Sequence, residues 1–245
     1  MEQNQSNKSK SSFWIGGKHT VESALNNHKR KVIRFVLDIK QKNSNIINNR
    51  KIKIEYVNSI FFKKIFNNEI PHQGYAALIE KIEEKNLKFY LDNNKIFNVI
   101  ALDGISDPRN VGAIIRTSVA FGFDALLINK KDFNAKSHLL YKTASGATEN
   151  IFIFEVSNIQ NEIKLLKNHN FWVVGMDMKA QQSIYEYKTE LKNVIVFGSE
   201  SCGMKRKIMS NCDSICKIPM SGKIESLNVS NAVAATLSIL NIKKK

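Results

Sequence analysis

Cysteine is scarce in this chain. Three of its 245 residues are cysteines (Cys202, Cys212 and Cys216), too few for a paired disulfide framework, which agrees with a reducing compartment. Their C-x9-C-x3-C spacing has no histidine beside it, so it does not complete a tetrahedral zinc site. Buried, inert thiols and no metal are the expectation. No apolar run approaches the roughly 18 residues that a membrane span needs, and the first residues, MEQNQSNKSKSS, lack the apolar centre of a secretory signal. A cytoplasmic location and no membrane partner are expected. No G-x-G-x-x-G follows a strand-like run, which argues against an ordinary dinucleotide-binding domain. GSESCGMK (198–205) has the glycine spacing of a phosphate-binding loop, but Met204 stands where that loop needs lysine, so nucleotide hydrolysis is not expected. No internal repeat is present.

Acidic residues are also in short supply: 22 Asp and Glu face 37 Lys and Arg, a formal net charge of +15. Such an excess suits a polyanionic partner, RNA above all, although a solvated lysine-rich surface has the same composition. The first 96 residues carry 18 of the Lys and Arg against 9 of the Asp and Glu, so the N-terminal part is the more basic per residue. The hydrophobic content of 43% is ordinary for a globular protein with a real core.

Residues 1–12 are polar and aperiodic, and read as a disordered tail. Residues 13–88 read as a small α/β unit, with GGKHTVESALNN as a turn and a short helix capped by Thr20. VIRFVLD (32–38), IKIEYV (52–57) and GYAALIE (74–80) are its expected strands. Residues 89–96 carry the break DNN and read as a linker. From residue 97 to 245 strands and helices alternate. Six apolar strand candidates (97–103, 125–129, 151–156, 171–178, 193–198 and 214–220) predict an α/β domain with a parallel sheet covered on both faces. The last helix carries one apolar stripe of Val229, Val233, Leu237 and Leu240.

Three segments break this alternation with Gly and polar residues just after a strand: LDGISDPRNVGAIIR (102–116), IVFGSESCGM (195–204) and IPMSGKIESLNVSNA (218–232). Loops at the carboxyl edge of an open α/β sheet are where ligands bind. In order and spacing the three resemble the motifs of the SpoU branch of the SPOUT methyltransferases, which are S-adenosylmethionine-dependent RNA ribose 2′-O-methyltransferases. D-P-x-N-x-G-x-x-x-R, carrying Asn110 and Arg116, is similar to the first motif. G-x-E-x-x-G-M, carrying Gly198 and Glu200, is similar to the second. I-P-M with S-L-N-V-S-N-A is similar to the third. G-K-H-T-V (17–21) and P-H-Q-G (71–74) resemble marks of the subgroup that methylates a guanosine in large-subunit (23S) ribosomal RNA. The resemblance implies a C-terminal trefoil knot that holds the cofactor, a homodimer, and an N-terminal ribosomal-protein-like RNA-binding domain.

It also implies a site. Asn110, Arg116, Glu200, Ser226 and Asn228 are the expected catalytic residues, and Gly198, Ile218, Met220 and Leu227 the expected cofactor pocket. A guanidinium is effectively always protonated, which favours Arg116 as a phosphate clamp and alkoxide stabiliser over a general base. Glu200 is expected to orient Arg116 or to accept a proton. Asn110, Asn228 and Ser226 suit a ribose hydroxyl or a loop backbone, and either Ser226 or Asn228 suits the cap of the last helix. His19 and His72 are expected either to touch RNA or to serve the structure. A transfer-RNA ribose methyltransferase, and a non-catalytic RNA-binding assembly protein, are the competing readings.

The charge pattern carries a first expectation. RNA affinity should fall steeply with salt and depend on residues 13–88, each phosphate contact contributing about −0.7 to −0.9 to the log–log slope. A fluorescence titration across a KCl series checks this, and a flat slope would refute it.

Overall fold

The computed structural model describes residues 12–46, 48 and 51–242. The expected tail lies outside these residues except for Ser12, which opens the first strand rather than closing a tail. The chain falls into two compact units, Met1–Glu83 with Ala135–Glu149, and Glu84–Asn134 with Asn150–Lys245.

The first unit holds β1 (Ser12–Gly16), α1 (Lys18–Asn26), β2 (Val32–Asp38), β3 (Ile54–Val57), α2 (Ser59–Phe66) and β4 (Tyr75–Glu80). Its sheet runs β1-β4-β2-β3, with β4 antiparallel to both β1 and β2, and β3 parallel to β2. The strand β1 and the helix α2 carry no mark that set them apart in the sequence. Asn58 caps α2, and Phe62 and Phe66, one turn apart, bury one face of it with Val36, Ile70 and Ala76. Thr20 is not the cap of α1. Gly17 holds that position, and the Thr20 hydroxyl donates to the Tyr141 carbonyl at 3.3 Å.

Tyr141 lies on α5 (His138–Ala144), in a segment that the alternation pattern assigns to the C-terminal domain but that packs in the first unit. The reason is specific chemistry. Arg30 and Glu149 are 2% and 3% exposed and pair at 2.8 Å. The Arg30 Nε donates to the same carboxylate, its Nη1 donates to the Glu80 carbonyl at 2.8 Å, and Asn27 Nδ2 donates to Glu149 Oε2 at 2.8 Å. A charge this deep persists only with its partners in place.

The second unit opens with α3 (Leu87–Asp92), where a linker was expected. Leu87, Tyr90 and Leu91 recur at helical spacing, Asn86 caps the turn, and all three apolar side chains enter the core. Beyond it come β5 (Asn98–Asp103), α4 (Pro108–Ala120), β6 (Ala125–Asn129), β7 (Phe152–Val156), α6 (Ile159–Asn168), β8 (Trp172–Met176), β9 (Gln182–Ser183), β10 (Asn193–Gly198), α7 (Arg206–Met209), β11 (Ser214–Lys217) and α8 (Val229–Ile242). Every pair in the seven-stranded sheet β7-β6-β5-β10-β8-β11-β9 is parallel. All six expected strands are present. The seventh, β9, is two residues long with no apolar run to announce it. The central strands β5 and β10 are buried almost end to end, as a sheet covered on both faces requires. On α8, Val229, Val233, Leu237 and Leu240 are all buried, and the helix packs against α4.

Removing one partner of the buried pair strands the other charge. Glu149→Ala should therefore destabilise the fold by about 3–5 kcal/mol. Urea unfolding of the variant against the wild type measures this, and an unchanged midpoint would show that Arg30 finds solvent or another acceptor.

Candidate active site

The connections leaving β5, β10 and β11 carry the three polar motifs, and the sheet brings them to one edge. The strands β5 and β10 are neighbours although their paired starts, Asn98 and Asn193, are 95 positions apart in sequence, and the strand order reverses between them. At such a switch point the loops diverge and leave a crevice. A cavity of about 340 Å³ opens on the β8 side of this point, beyond the carboxyl ends of β8, β10 and β11. Gly198, Ile218, Met220 and Leu227 all line it, as do Glu200 and Ser226.

Gly198 is required by sterics. A Cβ at this position would lie 2.1 Å from the Gly203 carbonyl carbon and 2.2 Å from the Met204 nitrogen, both backbone atoms that cannot turn away. Residues 199–203 fold straight back over it. The Gly203 N–H donates to the Ser199 carbonyl at 2.8 Å, and Gly203 takes φ +64°, which glycine adopts without cost.

The folded-back loop delivers Glu200 to the start of α8. Its Oε1 accepts from the Val229 N–H and from Asn228 Nδ2, each at 3.0 Å. The same Asn228 Nδ2 donates to Asn110 Oδ1 at 3.0 Å. Asn228 Oδ1 accepts from the N–H of Ser230 at 3.0 Å and from its hydroxyl at 2.6 Å. Asn228 is thus the cap of α8, and its amide ties together one residue from each motif. Of the two residues considered for that cap, Ser226 is exposed at the cavity and does not fill it.

Arg116 is not brought to Glu200. It is exposed on α4, outside the cavity lining, and its guanidinium has no acceptor among the described residues. Among the described residues Glu200 bonds to the start of α8 through Oε1 and makes no pair with Arg116.

Several residues at this edge carry no signal in the sequence alone. Asp103, at the end of β5 and 2% exposed, accepts from the Lys205 N–H at 2.8 Å and from its Nζ at 2.7 Å. The hydrogen bond to Asp103 holds the Lys205 ammonium above its ordinary pKa. Asp177, Lys179 and Lys217 add charged groups to the cavity wall. The stretch FWVVGMDM reads as strand, and only the way β8 ends shows that Asp177 leaves it at the cavity. Cys202 also lines the cavity and is exposed, which corrects the expectation of three buried thiols. Cys216 is buried, and burial pushes the Cys212 thiol up to about 11. His72 serves the structure of its loop: its ring stacks on Phe62 with centroids 4.4 Å apart, and Nδ1 accepts from the Gly74 N–H at 3.0 Å. No described helix is long and apolar enough to cross a membrane.

Known proteins share this fold. In fold the chain is similar to the SpoU methyltransferase AviRb of Streptomyces viridochromogenes in complex with AdoMet, with TM-score 0.80 and 19% identity over 96% of this chain and 91% of that one. It is also similar to an AdoMet-bound rRNA methyltransferase of Sinorhizobium meliloti, with TM-score 0.79 and 20% identity over 95% and 87% of the two chains. In sequence it is 34% identical over 238 residues to a Staphylococcus epidermidis protein assigned to the TrmH family of tRNA/rRNA methyltransferases, covering 94% of this chain and 95% of that one. Residues 14–85 match the family described as RNA 2′-O ribose methyltransferase substrate binding. Residues 98–238 match the SpoU rRNA methylase family across all three motif loops, and the chain belongs to that family.

Proposed function

We propose that the chain transfers a methyl group from S-adenosylmethionine to the ribose 2′-hydroxyl of a guanosine in 23S ribosomal RNA, and that it acts as a homodimer. The observation that carries this reading is the junction at Asn228, where three separate motif loops meet beside one cavity. The family membership supports RNA ribose methylation as the reaction class. A transfer-RNA target is the alternative, and mapping ribose methylation in both RNA classes with and without the gene separates the two.

The cavity fits the methyl donor. About 340 Å³ lies within the range of small-molecule sites. Met176, Phe197, Ile218, Met220 and Leu227 offer apolar surface to an adenine and a thioether chain, and Gly198 lets the 199–203 loop fold back to form one wall of the cavity. The bound sulfonium supplies an already activated methyl group. The protein's own work is to align the ribose hydroxyl behind it, exclude water and manage one proton.

The side chains divide that work. Glu200 uses only Oε1 towards α8 among the described residues, which leaves Oε2 to accept a hydrogen bond or proton from the substrate hydroxyl. Asn228 is committed to both Asn110 and Glu200, so it positions that carboxylate and is itself held by Asn110. Ser226 offers a hydroxyl at the cavity. Arg116, exposed and without an acceptor among the described residues, has its donors ready for a backbone phosphate beside the reacting ribose and for charge developing on the 2′-oxygen.

These roles separate in two variants. Arg116→Ala should lose transfer by about 2.7–4 kcal/mol in the barrier while keeping cofactor affinity. Gly198→Ala should lose cofactor affinity, because the added methyl displaces backbone on the cavity wall. Single-turnover methylation with calorimetry on each variant makes the test, and near-normal turnover in Arg116→Ala removes it from the site. The homodimer should appear by light scattering as twice the 27.9 kDa chain mass at micromolar concentration. A monomer mass would refute that part.

A further inference from the structure

A second polar site lies in the first unit, assembled from three stretches far apart in sequence. The side chain of Gln73 sits between the start of α1 and the α5 helix. Its Oε1 accepts from the Lys18 N–H at 3.3 Å and from Lys142 Nζ at 3.2 Å. This fixes the amide orientation, since the opposite flip would turn NH2 towards two donors. The Gln73 NH2 group is left without an acceptor among the described residues, on an exposed side chain.

Lys142 is held in place in the same way. Its ammonium occupies the space that a side chain on Gly17 would fill, because a Cβ there would lie 2.7 Å from Nζ. Gly17 takes φ +101°, a conformation that glycine alone adopts readily. Gln73 itself takes φ +58°, a left-handed backbone that is costly for a glutamine and that sets its side chain against Lys142. Among the described residues Lys142 has no carboxylate partner, and Gln73 is its one hydrogen-bond acceptor. Partial burial lowers the Lys142 ammonium below its ordinary pKa. Burial also lowers that of His72, with Asp38 opposing the shift and Lys142 adding to it.

A half-buried cation without a counter-ion, beside an amide that shows only its donors, is complementary to an acceptor-only anion. We propose that Lys142 and Gln73 form a preorganised site for one phosphodiester of the substrate RNA. Phosphate contacts set position and register, not sequence. The site would hold the RNA on the first unit through a lysine that the sequence pattern assigns to the methyltransferase domain. This inference rests on the RNA-substrate reading and adds a specific contact to it.

The test is binding of a 23S ribosomal RNA transcript to the full chain, followed by fluorescence anisotropy across a KCl series. Lys142→Met should weaken binding evenly across RNA sequences and make the log–log salt slope shallower by about 0.7–0.9, one phosphate contact. Lys142→Arg should restore the slope. Gln73→Glu places a carboxylate against the ammonium and should weaken binding at least as much. Thermal unfolding of each variant is read in parallel. A folded Lys142→Met with the wild-type slope, or Lys142→Arg behaving like Lys142→Met, overturns the phosphate site while leaving RNA binding intact. A wild-type chain with no salt-dependent binding overturns the RNA reading and this inference together.

Discussion

The site depends on a close approach of backbone to backbone at Gly198. With no Cβ to keep them apart, residues 199–203 turn back onto the end of β10 at distances that any side chain would forbid. That turn points Glu200 at the first N–H of α8, where a helix N-terminus favours a carboxylate. Once Glu200 is there, Asn228 can cap the helix with its oxygen and use both amide hydrogens on Glu200 and Asn110. Each element of the junction needs the one before it. The cavity is what remains between the folded-back loop and the segment leading into α8.

Both units hold a closed charge pair. In the second, the buried Asp103 carboxylate is satisfied by both the backbone and the ammonium of Lys205. In the first, Arg30 and Glu149 are buried together with almost every donor and acceptor used. Lys142 is the contrast: it is partly desolvated, fixed by an amide, and has no carboxylate among the described residues. Closed pairs hold the fold, whereas an open donor set is available to an outside anion.

The strands of the parallel sheet were legible because each is a short apolar run bounded by polar residues, as with NVIVFG or ALLIN. The stripe on α8 was legible because its four apolar residues share one face. The two-residue β9 was not, because pairing with β11 alone makes it a strand. The sequence of α3 reads in part as a linker because the DNN at its end is a stronger local signal than three apolar residues at helical spacing. In the site, Gly198, Glu200, Ile218 and Leu227 sit in motifs that could be read directly. Asp103, Asp177 and Lys179 could not be read, because a charged residue after a strand looks the same whether it faces a cavity or solvent.

Local sequence, then, determined which segments are strands or helices, where the polar loops interrupt them and which motif each loop carries. Those properties follow from side-chain periodicity and turn chemistry over a few residues. Tertiary structure alone decided that residues 135–149 belong with the N-terminal unit, that Glu200 is held by α8 and not by Arg116, and that Gln73 meets Lys142. Each of these contacts joins groups separated by 28 to 122 positions. No local pattern encodes such a pairing, because it depends on the path of the backbone between the partners.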